Sequence, residues 1–218
     1  MLSIALAVLL AIPAQSFAQS QDTLLLYADA TGGPTLDQQI MGDTTATGQR
    51  NDPNRVYVLQ QTGAVDTVYN FFNGIQSNYN ITIIGKRNPV TGMPPVIQPG
   101  VNLDGSAPGN FIDSRGTGDT ITIKNIYFLG ETFDGKHFIG NMIQPTGDST
   151  TVVLDHDLFD NFGGVLAYFE GNWNNFFLTN CESRNMSNQF WQSGNLTWAN
   201  GGVPMDTVWI VNNTESLE

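Results

Sequence analysis

The chain has 218 residues, with 8 Lys and Arg against 20 Asp and Glu and a formal net charge of −12. Nucleic acid is excluded as a partner class, because a duplex is bound by clustered cations that displace counterions and the basic residues here are scattered from Arg50 to Arg184. A single cysteine, Cys181, leaves no intrachain disulfide to form, while 23 Gly and 10 Pro supply material for many turns.

The chain opens on an apolar run over residues 2–12 that is too short to span a bilayer, followed by Ser16-Phe17-Ala18, whose Ser16 and Ala18 are the small residues a signal peptidase needs. Residues 1–18 are therefore expected to be a signal peptide, although no basic residue precedes the run, and the mature protein to be secreted, extracellular or on the outer cell surface. No later stretch is long and apolar enough for a membrane span. Residues 19–55 read as a lead-in and N-terminal cap, and residues 56–218 as a solenoid.

The solenoid reading rests on stretches that superpose column by column: residues 80–86 (NITIIGK), 120–128 (TITIKNIYF), 151–159 (TVVLDHDLF), 175–183 (NFFLTNCES) and 207–215 (TVWIVNNTE). They recur within the period of roughly 20 to 50 residues at which one supersecondary unit stacks. Apolar residues hold the second and fourth places, the period-two signature of a strand with one buried face. A second strand family is expected at Phe111 and Ile112, Phe138 and Ile139, Val165 and Leu166, and Phe190 and Trp191. The prediction is an all-β parallel β-helix in which Ile121, Val152, Phe176 and Val208 lie over one another.

The sixth column carries Asn125, His156, Asn180 and Asn212, with Gly85 in the earliest copy. Alternation sends this column inward, where stacked amides would satisfy each other and the bend. It sends the third and fifth columns outward. The last copy ends three residues before Glu218 with no closing rung, so the sequence is expected to be the front of a longer solenoid without its C-terminal cap.

These residues resemble the pectate-lyase-like right-handed parallel β-helix superfamily, whose rungs carry an Asn ladder at a tight bend; the resemblance covers about residues 56–218. The segments TGGPTLDQQI and DPNRVYVL also look like the lead-in of secreted bacterial β-helix proteins. The superfamily spans lyases, hydrolases, esterases and surface proteins, so fold does not give function. Sites in it lie on outward rung faces. A lyase of this kind would hold Ca²⁺ on outward carboxylates beside an Arg or Lys base, which here implies Asp155, Asp157 and Asp160 as metal ligands and Lys124 or Arg184 as base. The hydrolase strings NTD, GHG and RIK are missing.

Each candidate has a structural alternative. Lys124 and Asp155 share a column and can form a cross-rung ion pair; His156 is expected to be a ladder member; Asp157 and Asp160 lie beyond the bend, where carboxylates commonly bond their own backbone. Cys181 is expected to be a packed thiol. Phe177 and Trp209, outward on adjacent rungs, together with Trp191 and Trp198, could form an aromatic platform for a glycan or be covered by the insertion over residues 184–205. The expected role is recognition or scaffolding with a polysaccharide ligand; the alternative is a Ca²⁺-dependent polysaccharide lyase.

Overall fold

A computed structural model describes residues 22–28, 32–47, 49–61, 63–187, 190–193 and 204–216. The expected signal peptide and Trp198 lie outside the described residues. Among those described, the strands fall into three sheets whose paired strands all run parallel.

The first sheet orders β1 (Thr23–Leu26), β2 (Val56–Leu59), β5 (Ile81–Gly85), β8 (Thr120–Lys124), β11 (Thr151–Asp155), β14 (Asn174–Thr179) and β17 (Met205–Val211). The second orders β3 (Val68–Phe71), β6 (Val96–Pro99), β9 (Tyr127–Leu129), β12 (Leu158–Asp160), β15 (Glu182–Arg184) and β18 (Thr214–Ser216). The third orders β4 (Ile75–Ser77), β7 (Asn110–Ser114), β10 (Asn141–Pro145), β13 (Val165–Phe169) and β16 (Trp191–Ser193). From β2 onward the chain visits first, second and third sheet in turn, an arrangement consistent with a parallel β-helix solenoid.

The first sheet has the register that the repeats imply. Ile81, Ile121, Val152, Phe176 and Val208 are successive partners, as are Ile83, Ile123, Leu154, Leu178 and Ile210. All but the last residue of each column are buried, and each such side chain contributes roughly 1.5–3 kcal/mol of burial. The second sheet takes the eighth and ninth places of the four nine-residue repeats and the residue after them, so each of these copies spans a strand, a bend and the start of a second strand.

The third sheet departs from expectation. Met142 and Ile143, not Phe138 and Ile139, lie over Phe111 and Ile112. Phe138 instead bridges Glu131 in an antiparallel turn and is half exposed. An apolar pair in a loop had the look of a strand.

The bend between first and second sheets corrects the facing of the sixth column. Asn125, His156, Asn180 and Asn212 all take left-handed backbone, with φ between 54° and 59°, a conformation in which Asn and His are enriched among non-glycine residues. That turn breaks the alternation. His156 and Asn180 lie at the surface, the His156 side chain 54% exposed, and Asn212 donates to Asn180 at 3.4 Å. The inward place passes to the next residue, where Ile126, Asp157 and Cys181 are buried.

The helix α1 (Leu36–Gly42) starts where the Gln38 side chain accepts the Thr35 N–H at 3.0 Å. It packs on β3 and β4, and Leu36 and Ile40 join the core at that end. Asp43, Arg50, Arg55 and Tyr57 tie it to β2: Arg50 donates to the Ile40 carbonyl and to the Tyr57 hydroxyl, which donates to Asp43 at 3.0 Å. Burial is the main cause pushing the Tyr57 hydroxyl up to about 12. Among the described residues no helix is long and apolar enough to cross a membrane.

Candidate functional site

On the outer face of the first sheet, Thr82, Thr122, Val153, Phe177 and Trp209 form one column and Ile84, Lys124, Asp155, Thr179 and Val211 the next. Phe177 is half-buried and Trp209 exposed. Trp191, on β16, belongs to the third sheet and does not continue their column.

Asp155 is a junction between rungs. It sits 3.5 Å from Lys124, accepts from Thr179 at 2.9 Å and from Asn180 at 3.0 Å, and lies 2.9 Å from the His156 ring. Burial acts to raise its pKa, but the bonds from Asn180, Thr179 and His156 outweigh it and hold the carboxyl below the usual range. Asp157 points the other way, into the core. It accepts the Ile126 N–H at 2.9 Å and the Asp155 N–H at 3.1 Å. Asp160, on the second sheet, accepts from the Tyr127 hydroxyl and from Asn185, both at 3.0 Å.

The three aspartates therefore face different directions, and among the described residues no three His, Cys, Asp or Glu side chains are placed to hold a metal ion. Lys124 and Arg184 are not brought together either. They stand on different sheets two rungs apart, and Arg184 is paired with Glu182 at 2.6 Å. Cys181 lies in the buried column beside Asp157; burial first, then the nearby carboxylates, push its thiol up to about 12, so it stays protonated.

Burial also drives the Asp157 carboxyl well above its ordinary 3.8, against the two N–H bonds that favour the anion. An acid with a raised folded pKa gives stability that is complete below its unfolded value and is lost as pH climbs toward the folded one. Asp157→Asn is expected to remove that dependence. Asn213, at the equivalent place two rungs on, shows how an amide fits: it accepts the Cys181 N–H at 2.8 Å and donates to the Leu178 carbonyl at 2.8 Å. Thermal melts from pH 4 to 8 should show the variant flatter, and more stable at pH 8 by about 1–3 kcal/mol, the penalty of an ill-matched buried polar group. A parent and variant with parallel profiles would refute this.

A second arrangement lies on the outer face of the third sheet. Gln76, Asp113 and Gln144 are in register on consecutive rungs, followed by Tyr168 and Gln192, partners of each other on the next two. Beside the lower end is a cleft of about 290 Å³ lined by Phe72, Asn73, Gln76, Asn102, Asn110 and Asp113. Asp113 Oδ2 accepts from Arg115 Nε at 2.9 Å and Nη2 at 2.6 Å. Its Oδ1 is buried with no hydrogen-bond partner, although buried acceptors normally have one. The Phe72 ring lies over Gly100, where a Cβ would stand 2.3 Å from a ring carbon. Gly100 thus makes room for the aromatic wall.

One aromatic wall, several amides and a fixed carboxylate can bind a polyhydroxylated molecule, the ring against its apolar face and the polar groups on its hydroxyls. The sequence reading missed this place because it misplaced the strand at Met142 and Ile143, and because Phe72 and Asp113 are far apart in the chain. The only available signal was the outward polar residue after each buried pair. Compared with protein-family models, with curated proteins and with solved structures, the chain matches none.

Proposed function

We propose that this chain is a secreted or cell-surface solenoid of the right-handed, pectate-lyase-like kind, with a recognition or scaffolding role and a polysaccharide as ligand. The observation that carries the reading is the third-sheet cleft, where Asp113 Oδ1 is buried without a partner beside Phe72 and three asparagines. The in-register polar column continues across the rungs at about 4.8 Å per step, a surface suited to a polymer whose hydroxyls recur. The apolar leader over residues 2–12 supports export.

The test is a panel of immobilised neutral and acidic polysaccharides probed with the mature chain and with Asp113→Ala and Phe72→Ala. Retention without cleavage is expected on at least one. Asp113→Ala should weaken it at least tenfold, the worth of a hydrogen bond to a charged group, and Phe72→Ala should weaken it severalfold. Retention on none of the panel, or retention that both variants keep, defeats the proposal.

A further inference from the structure

The bend between the first and second sheets holds a second cleft, of about 210 Å³, whose lining includes Arg87, His156, Asp157, Asn180, Glu182 and Arg184. Two arginines and a histidine line this cleft on a chain whose net charge is −12. The basic residues, scattered in sequence, are partly gathered by the winding: Arg87 follows β5, His156 follows β11 and Arg184 ends β15. Asp157 commits both oxygens to backbone N–H groups. Asp155 is engaged by Lys124, Thr179, Asn180 and one nitrogen of the His156 ring. Glu182 is the remaining carboxylate, and it bonds Arg184 at 2.6 Å.

The loop carrying Arg87 is a fixed wall. Asn88, 1% exposed, accepts the Val90 N–H at 2.9 Å and donates to the Val65 carbonyl at 3.1 Å and to Asp66 at 3.2 Å. Arg87 donates to the Gly92 carbonyl at 3.0 Å, which uses one N–H of a five-donor fork. Donors thus approach the cleft from a loop, two bends and a strand end. Guanidinium groups bind oxyanions through paired, charge-assisted bonds, and donors converging from several directions suit a tetrahedral anion better than a planar carboxylate.

We infer that the corner cleft bounded by Arg87, His156, Asn180 and Arg184 binds a tetrahedral oxyanion, the sulfate or phosphate group of a small molecule or of an esterified sugar. This does not rest on the glycan reading above, since the cleft of that reading lies on the third sheet and shares none of these residues. Glu182 holds Arg184 in the absence of ligand and competes with the anion for it.

Calorimetric titration of the mature chain with sodium sulfate, sodium phosphate and a sulfated monosaccharide, at ionic strength matched with chloride, tests this. Saturable binding is expected. Arg87→Gln should weaken it about tenfold or more, and Glu182→Gln should tighten it severalfold by removing the competing carboxylate. Neither residue is in the core, so both variants should melt with the parent. A tighter sugar ester than free sulfate identifies an esterified glycan as the source; equal affinities identify the free ion. No saturable binding of any of the three, or affinities that Arg87→Gln and Glu182→Gln both leave unchanged, overturns the inference.

Discussion

Gly164→Ala is expected to destabilise the fold by more than about 4 kcal/mol, while Gly109→Ala, at the same place two rungs earlier, leaves stability within about 0.5 kcal/mol. Gly109, Gly140 and Gly164 each immediately precede a strand of the third sheet, at β7, β10 and β13. A Cβ at Gly164 would lie 1.2 Å from the Gly140 carbonyl oxygen, and one at Gly140 would lie 2.8 Å from that of Gly109. At Gly109 a Cβ meets nothing within 4 Å. The obstacle is backbone held in a ladder, which cannot swing aside as a side chain can. Asn141 N–H bonds the Gly109 carbonyl at 3.0 Å, so moving one rung breaks the pairing of the next. Urea unfolding followed by circular dichroism should rank the variants: Gly164→Ala costing more than about 4 kcal/mol, Gly140→Ala about 1–3 kcal/mol, Gly109→Ala near zero. Equal losses at all three would mean that the rungs do not approach one another at this bend.

The first sheet was legible because its strands alternate strictly. In Thr120–Lys124 and Thr151–Asp155 every second residue is buried, and like residues recur in like columns. The third sheet hides its period. Phe111 and Ile112, Met142 and Ile143, and Leu166 and Ala167 are adjacent and both buried, so alternation fails within the strand and the eye is free to choose Phe138 and Ile139. The bend was half legible. Asparagine fits there because of the left-handed backbone it tolerates, and carrying alternation into that turn put His156 inside, whereas it lies at the surface and the next residue, Asp157, is buried. Clefts were not legible at all. Phe72 with Asp113, and Arg87 with Arg184, are brought together by winding, and no spacing in the chain announces either pair.

Phe128→Ala is expected to cost about 3–5 kcal/mol, as a fully buried aromatic replaced by a methyl group does when the space cannot close. Phe128 sits on β9 between Ile97 and Phe159 in its column. Its ring also lies 5.0 Å from Phe111 on β7 and 5.4 Å from Phe162 beyond β12, centroid to centroid, with Phe71 on β3 at 6.0 Å. One side chain therefore joins the second sheet to the third and reaches over several rungs. A solenoid is held by contacts between neighbouring rungs rather than by one central core, so a hole here weakens two interfaces at once and leaves the rungs on either side less able to support each other. The denaturant midpoint should fall, and the transition should broaden, with a smaller apparent m value, as the two halves begin to unfold separately. Phe133→Ala, at a ring 63% exposed, should move the midpoint little and leave the slope alone. A Phe128→Ala variant that loses stability with an unchanged slope would show that the stack unfolds as one cooperative unit, and that coupling along it reaches further than adjacent rungs.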